Sequence, residues 1–517
     1  MLRWQTMKKF PEPKSRDLPL LVFIGVCLSY LALMISHISL AYLDFGDGNY
    51  LYIARRMLQG VVIYRDILSP QPPLHLYTGT LLLKIGDWLG NPLFTVRVFT
   101  LLLRAIHAGL IYYLASRIFL DVNKKWLPFL AGTVYLFLPI GFWWSRGYQS
   151  EPLEILWLLI SIGFMIRWTP KSMAGAGLFA GLGVLTNMTA APYLLLTIGI
   201  LALYDRKKLF WYAIPALSLL ALATLFFQIY TQGMFLQNAI LDQVGTYPKE
   251  NTLGYMLGKI KWIGGIILHL EGPLIVASLL GLILYYKTQI HGKIKTSPLP
   301  VFLFLYSLAT LGSFVYATKG GTVDYIFTLG EPAVALFSVY GIYRSTQSLV
   351  KAKPFWLEAV AIGVVLILGL PGYKQNINTL KGINYELPSE SVKGIISLIQ
   401  DHSKPGEAIF SPPYFAFLAE RPLAGEFSEQ YVWFMKYFNW MAYREGNPAN
   451  MEHLETIGEM FSRREIKIVL LNIDPRRGQQ TGKIMPFRMP VDAFYHPVGK
   501  VDMRNETLTV FFPNQDE

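Results

Sequence analysis

The sequence predicts a polytopic α-helical membrane protein that ends in a small soluble α/β or α+β domain. Of its 517 residues 53% are hydrophobic and only 15% are charged, whereas a soluble globular protein carries about 25% charged residues. Apolar runs of about 20 residues, the length that crosses a bilayer, recur as far as residue 372. We therefore predict a transmembrane domain over 1–372 and a soluble domain over 373–517.

Eleven stretches are predicted to be membrane-spanning helices, because their apolar length matches the hydrocarbon core of a bilayer. They are residues 18–42, 94–116, 127–144, 152–167, 172–187, 190–204, 209–230, 266–286, 299–317, 325–343 and 355–372. The first stretch follows a basic N-terminal segment and lacks a small-residue cleavage site, which indicates a signal anchor. The stretch 74–89 contains Lys84 and Asp87 and is predicted to lie on the outer membrane surface instead.

The distribution of basic residues predicts the orientation of these helices in a plasma membrane. With the N-terminus in the cytoplasm, the cytoplasmic segments hold 19 Lys and Arg residues, and the outer loops hold 9. The positive-inside rule expects this bias. The loop 43–92 and the domain 373–517 then lie outside the cytoplasm. Because membrane orientation accounts for the net charge of +12, no nucleic-acid partner is expected.

The C-terminal domain shows the patterns of both helices and strands. Residues 390–402 and 450–464 have helical periodicity, while 407–411, 466–472 and 508–512 are short apolar runs typical of strands. This mixture predicts the α/β or α+β class. No catalytic constellation is recognisable there, so support of the membrane domain or contact with an acceptor is the expected role.

The outer loop 43–92 is predicted to carry two surface helices and has an unusual density of charge where the chain leaves the bilayer. Three carboxylates and three arginines cluster there: Asp44, Asp47, Asp66, Arg55, Arg56 and Arg65. Residues 48–59 are predicted to form the first helix, with Gly60 at its C-terminal end. Asp47 would stand at its N-cap, where a carboxylate accepts backbone N–H bonds. Helix capping or ion pairing could explain each carboxylate by itself, but their combination in one loop favours a catalytic role.

The loop residues also follow a recognisable order. They are Gly46-Asp47-Gly48-Asn49-Tyr50, then Gly60, then Tyr64-Arg65-Asp66, then Gln71-Pro72-Pro73 and Tyr77. This order resembles the first outer loop of the GT-C membrane glycosyltransferases, above all the protein O-mannosyltransferases, lipid A aminoarabinose transferases and RgtA/B/C/D-like enzymes. The resemblance in motifs covers about residues 44–77, and the resemblance in layout covers the whole chain. Members of that group often have an acidic residue where this chain has Gly48.

The resemblance implies a membrane glycosyltransferase with a GT-C-like fold. Such an enzyme moves a sugar from a polyprenyl-phosphate donor to a hydroxyl group of a glycan, lipid or protein acceptor outside the cytoplasm. It further implies that Asp47 is the general base and that direct displacement inverts the anomeric carbon. The departing phosphate needs cations nearby. The predicted substrate-binding residues are Asp44, Asp66, Arg55, Arg104, Arg146, Glu151, Lys319 and Asp324.

Several alternatives stay open at this point. A lipid or glycolipid transporter or flippase is the second interpretation, although no internal repeat supports it. A non-catalytic membrane subunit with an outer binding domain is the third. Arg104, inside a predicted span near His107, also fits a structural pair. No His-rich or Cys-rich spacing indicates a transition metal, whereas carboxylate-bound Mg²⁺, Mn²⁺ or Ca²⁺ is compatible with the sequence.

Overall fold

The computed structural model describes most of the chain, and it is predominantly helical. The described residues are 18–67, 69, 71–119, 126–241, 253–291, 306, 324–349, 354–383, 385–426, 456–472, 491, 493–504 and 507–514. The helices in the first half are α1 (Leu18–Ile35), α2 (Phe45–Leu58), α3 (Pro73–Trp88), α4 (Pro92–Ile118), α5 (Trp126–Phe137), α6 (Pro139–Trp144), α7 (Glu151–Met165), α8 (Pro170–Thr186), α9 (Ala191–Tyr204) and α10 (Arg206–Tyr230). The later ones are α11 (Leu253–His291), α12 (Glu331–Leu349), α13 (Pro354–Leu368), α14 (Leu370–Leu380), α15 (Ser389–His402) and α16 (Pro413–Ala419).

Within the described residues, four helices are long and apolar enough to cross a membrane. These segments are Leu18–Ile35, Pro92–Ile118, Arg206–Tyr230 and Ile260–Lys287. Helices α13 and α14 are bent by 60° and together fit a fifth, broken span. Each predicted span within the described residues contains a helix, and 299–317 falls outside them apart from Tyr306. The number of eleven crossings stays a prediction.

The third predicted span is broken in the structure, which corrects the expectation of one helix over 127–144. Helix α5 ends at Phe137, and Pro139 begins the short helix α6. The proline ring disfavours the helical conformation of the preceding residue, and Leu138 accordingly has φ −59° and ψ 125°. The break leaves backbone carbonyls at the end of α5 and backbone N–H groups at the start of α6 without helical partners.

An intramembrane ion pair satisfies the groups at this break. Arg104 of α4 donates hydrogen bonds to the carbonyl oxygens of Tyr135, Leu136 and Leu138, the last at 3.1 Å. Its Nη1 also lies 2.7 Å from Oε2 of Glu331. The other oxygen of Glu331 accepts from the backbone N–H of Gly141 at 2.6 Å. Arg104, which was predicted to bind substrate, therefore also joins α4, α5, α6 and α12.

The C-terminal region packs on the two surface helices. Its strands β1 (Val469–Asn472), β2 (Tyr495–Asp502) and β3 (Thr507–Pro513) form an antiparallel sheet in the order β1-β3-β2. One hydrophobic cluster contains Leu51 of α2, Leu76 of α3 and Phe415 of α16. The sequence-predicted domain boundary at 372 falls inside α14 and stays a prediction.

The predicted C-terminal elements agree in part with the structure. Helix α15 matches the predicted helix to within one residue, and β1 and β3 lie within or close to predicted strands. The predicted helix at 450–464 is described only from residue 456, where 456–462 is helical. The predicted strand 407–411 is wrong as a strand, because it forms only isolated bridges through Ile409 and Phe410. Strand β2 was not predicted, since its side chains are mostly exposed and show no apolar alternation.

The packing at Gly141 yields a test of the broken span. A Cβ atom at Gly141 would overlap the Arg104 guanidinium and the Glu331 carboxylate. Gly141→Ala should therefore destabilise the protein by about 1–3 kcal/mol, seen as a lower thermal unfolding midpoint in detergent. Gly163→Ala in α7 is the matched control, because nothing lies within 4 Å of its Cβ position. Equal midpoints for the two variants would contradict this packing.

Candidate active site

The first turn of α2 is held by Asp44, not by Asp47 as the sequence predicted. Oδ1 of Asp44 accepts the backbone N–H of Asp47 at 3.0 Å, so Asp44 is the N-cap. The same carboxylate accepts hydrogen bonds from Nε2 of Gln149 at 3.0 and 3.2 Å. Gly60, with φ +94°, follows the end of the helix as predicted. The cap thus connects the loop 43–92 to the segment before α7.

Asp47 is fully buried in an ion pair with Arg97 of α4. Its Oδ2 lies 2.9 Å from Nη2 of Arg97, and its Oδ1 accepts the backbone N–H of Tyr148 at 2.7 Å. Arg97 also donates to the carbonyl oxygens of Ser39 and Ala41. Both carboxylate oxygens of Asp47 are therefore occupied, and this side chain joins three separate segments of the chain.

A cavity lies beside this network. Its unoccupied space, open side included, is about 340 Å³, of which about 20 Å³ can hold the centre of a water molecule. Its polar lining includes Thr100, Arg104, His107, Ser145, Gln149 and Glu151. Asp47 is not among the lining residues. The cavity therefore brings together the predicted site residues Arg104 and Glu151, and Asp47 stays behind its wall.

Glu151 contributes a buried carboxylate to the lining of this cavity. Its side chain is buried with a relative exposure of 4%. Oε1 accepts a hydrogen bond from Nδ2 of Asn187 at 3.2 Å, whereas Oε2 has no hydrogen-bond partner among the described residues. A buried polar atom without a partner is rare and calls for an explanation, such as a ligand.

Two of the arginines that were predicted to bind substrate differ in whether a carboxylate pairs with them. Arg55 forms a bidentate pair with Asp87 at 2.6 and 2.8 Å, which joins α2 to α3. Arg146 is buried and donates to the carbonyl oxygen of Thr379 at 2.8 Å. No carboxylate among the described residues pairs with it, and burial, followed by the charge of Arg97, lowers the pKa of Arg146. Arg146 is thus a buried cation short of negative charge.

Asp66 is not among the residues that line the cavity. Asp66 pairs with Arg65 at 2.6 Å, a hydrogen bond that lowers the pKa of Asp66, and it accepts from the backbone N–H of Val62. Asp324 begins the helical turn Asp324–Leu329, which contributes Tyr325 and Thr328 to the cavity wall. Lys319 lies outside the described residues.

Solved glycosyltransferase structures have a similar architecture. ArnT from Cupriavidus metallidurans bound to undecaprenyl phosphate matches with a TM-score of 0.62 and 12% identity, over 95% of this chain and 97% of ArnT. The oligosaccharyltransferase of Archaeoglobus fulgidus in the apo form matches with a TM-score of 0.57 and 14% identity, over 97% and 75%. The chain has the GT-C fold.

A further structure has the same fold, and it shows a bound lipid phosphate. AglB from Archaeoglobus fulgidus in complex with an inhibitory peptide and a dolichol-phosphate matches with a TM-score of 0.53 and 12% identity, over 96% of this chain and 74% of AglB. No protein-family model and no curated protein sequence matches this chain. At such identities the likeness defines the GT-C fold, and the activity has to be argued from the site.

Sequence reasoning missed several polar residues around this GT-C site. Gln149 and Asn187 contact Asp44 and Glu151, but an amide in a short loop carries no distinctive signal. Glu331, which pairs with Arg104, did offer one, since it is a carboxylate inside a predicted span. An intramembrane carboxylate usually has a polar partner, and pairing it with the intramembrane arginine would have linked the two helices.

A metal site is not supported by the side chains that the structure describes. Within those residues no group of three or more His, Cys, Asp or Glu side chains could hold one ion. Mg²⁺, Mn²⁺ and Ca²⁺ prefer several oxygen ligands, often with more than one carboxylate. A divalent cation held by one or two carboxylates together with substrate phosphates, which the sequence allows, stays a prediction.

A buried histidine on the surface helix α3 makes the loop sensitive to acid. His75 is fully buried, and its ring lies 4.5 Å from the ring of Tyr50. Burial lowers the pKa of His75 to about 3, whereas an unfolded histidine titrates near 6.5. As the pH falls below 6.5, the unfolded chain therefore takes up a proton before the folded protein does. The free energy of unfolding should then fall by up to about 1.4 kcal/mol per pH unit.

This acid sensitivity can be measured with His75→Phe, which keeps an aromatic ring and removes the titrating group. Thermal unfolding of both proteins in detergent between pH 4 and 8 should show a steeper loss below pH 6.5 for the wild type. Parallel curves would contradict the role assigned to His75.

Proposed function

We propose that this protein is a membrane glycosyltransferase that takes a sugar from a polyprenyl-phosphate donor. The acceptor is a hydroxyl group of a glycan, lipid or protein on the outer side of the plasma membrane. The proposal rests on one observation. Asp44, Gln149 and Glu151, from two chain segments, lie beside a cavity that Arg104 also lines. Carboxylates and amides are well suited to bind and activate sugar hydroxyls.

The fold supports a lipid-linked donor. ArnT binds undecaprenyl phosphate, and AglB binds a dolichol-phosphate. Only about 20 Å³ of the cavity can hold the centre of a water molecule, against roughly 300–1,000 Å³ for small-molecule sites, so a sugar would bind only after the cavity walls move apart. If the basic segments lie on the cytoplasmic side, as the sequence predicts, α2, α3 and the C-terminal region lie outside, where such a donor would present its sugar.

We propose Glu151 as the general base. The acceptor hydroxyl transfers its proton to Oε2 of Glu151, the carboxylate oxygen that has no hydrogen-bond partner among the described residues. The hydroxyl oxygen forms a bond to the anomeric carbon from one face. The bond to the phosphate oxygen breaks on the other face, so polyprenyl phosphate leaves and the anomeric configuration inverts. Asp47, whose role as base was predicted from the resemblance, has both oxygens occupied and instead holds the segment that carries Glu151.

Arg146 is proposed to bind the phosphate of the donor. It is a buried cation that faces the rings of Trp143 and Tyr385, at 5.3 and 4.5 Å. An unpaired buried charge is costly, so an anionic ligand would be favoured there. Its neighbour Ser145 lines the cavity. No step is routed through a metal ion, because the described side chains do not form a set of metal ligands.

The general base can be identified with purified protein, an undecaprenyl-phosphate-linked radiolabelled sugar and membrane extract as acceptor. Glu151→Gln should lower the rate of transfer by about 10²–10⁴-fold, the usual contribution of a positioned base. Asp47→Asn should lower it less, because the amide oxygen can still accept from the N–H of Tyr148. Glu390→Gln, at an exposed ion pair with Lys393, is the matched control and should be neutral.

Two results would change these assignments. Full loss with Asp47→Asn and retained transfer with Glu151→Gln would return the role of base to Asp47. Movement of the labelled lipid across vesicle membranes without any sugar transfer would favour the transporter or flippase.

The phosphate contact is tested with Arg146→Gln in the same assay. Loss of a charge-assisted hydrogen bond to phosphate costs about 1.5–3 kcal/mol, so the KM for the donor should rise about 10- to 100-fold while kcat changes little. Arg463→Gln, an exposed partner of Glu459, controls for loss of positive charge. An unchanged donor KM would remove Arg146 from the phosphate site.

A further inference from the structure

Helix α16 of the C-terminal region makes a very close contact with the first turn of α2. A Cβ atom at Gly48 would lie only 2.6 Å from Cβ of Tyr414 and 2.7 Å from its backbone nitrogen. Contacts this short cannot be accommodated without a shift of the backbone. The acidic residue that related loops often carry at this position has no room here, because the backbone of α16 occupies its place.

The hydroxyl group of Tyr414 reaches past Gly48 into the ion pair. It donates a hydrogen bond to the carbonyl oxygen of Leu40 at 2.9 Å and accepts one from Nη2 of Arg97 at 3.2 Å. Tyr414 is fully buried, and burial raises the pKa of its phenol, so the group stays neutral and keeps its donor proton. The same Nη2 atom of Arg97 contacts Asp47.

A continuous set of hydrogen bonds therefore runs from the C-terminal region to the cavity wall. Tyr414 contacts Arg97, Arg97 pairs with Asp47, and Asp47 accepts the backbone N–H of Tyr148. Tyr148 is followed directly by Gln149, which bonds Asp44, and Glu151 lies three residues after Tyr148. The hydroxyl of Tyr148 also donates to the carbonyl oxygen of His75 on α3.

The middle and the last turn of α2 make a second contact with the C-terminal region that does not involve Asp47. The hydroxyl of Tyr52 accepts the backbone N–H of Leu423 at 2.7 Å. Arg56 forms an ion pair with Glu426. These contacts hold the same two parts together, so they separate the effect of docking from the effect of the Tyr414 hydroxyl.

We propose that Tyr414 is a positioning residue for sugar transfer, through which the docked C-terminal region sets the geometry of Gln149 and Glu151. Its hydroxyl fixes the Arg97 guanidinium, which fixes Asp47 and with it the segment 148–151. The proposal rests on the proposed function of this site. It gives the C-terminal region a part in catalysis that requires no contact with substrate.

The experiment compares two variants that each remove one buried hydroxyl between the same two parts. Tyr414→Phe should lower kcat about 10- to 100-fold, since small displacements of a reacting group have effects of this size, and leave the donor KM within about 2-fold. Tyr52→Phe should leave both kcat and KM near wild type. In the Asp47→Asn background, Tyr414→Phe should have little further effect, because both act through the same contact.

Hydrogen–deuterium exchange gives a readout that is independent of activity. Amides of residues 145–151 should exchange faster in Tyr414→Phe than in the wild type or in Tyr52→Phe. Unchanged exchange, wild-type kcat in Tyr414→Phe, or effects that multiply with those of Asp47→Asn would each overturn the proposal. A wild-type protein without transfer activity would overturn the proposed function instead, and the exchange data would still decide whether Tyr414 positions the segment.

Discussion

The buried ion pair between Asp47 and Arg97 is the interaction on which the rest of the site depends. A buried pair is stabilised when further hydrogen bonds accompany it. Here the backbone N–H of Tyr148 bonds Asp47, while the carbonyl oxygen of Ala41 and the hydroxyl of Tyr414 accept from Nη2 of Arg97, whose Nε has no partner among the described residues. Those partners belong to separate segments, so the cost of burying two charges is offset only when all the segments are in place.

A second buried pair applies the same constraint inside the membrane helices. Arg104 and Glu331 occupy the break that Pro139 creates between α5 and α6, where helical backbone groups lack partners. Arg104 also lines the cavity. Because carbonyl oxygens and a carboxylate hold its guanidinium, Arg104 supplies a fixed positive charge in the wall of the cavity. Arg146, which has no carboxylate partner among the described residues, is better suited to receive an anion.

The position of the C-terminal region gives it a direct bearing on the chemistry. Helix α2 contacts Tyr414 at its first turn, through Gly48, while Tyr52 and Arg56 contact Leu423 and Glu426 further along the helix. The contact at the first turn is the one next to the N-cap Asp44, which lies beside Gln149. Precise placement of polar groups before substrate arrives is worth more in a catalytic site than additional contacts.

Local patterns in the sequence determined the apolar helices, the two surface helices and much of the C-terminal secondary structure, because apolar length and periodicity act over short distances. Only the tertiary structure decided how the loop carboxylates are used. The partner of Asp47 lies 50 residues away and the hydroxyl that supports it lies 317 residues from Arg97, and nothing local specifies such pairs. Gly48 illustrates this division. The sequence shows that the acidic residue often found at this position in the GT-C group is absent, and the contact with Tyr414 explains why none fits.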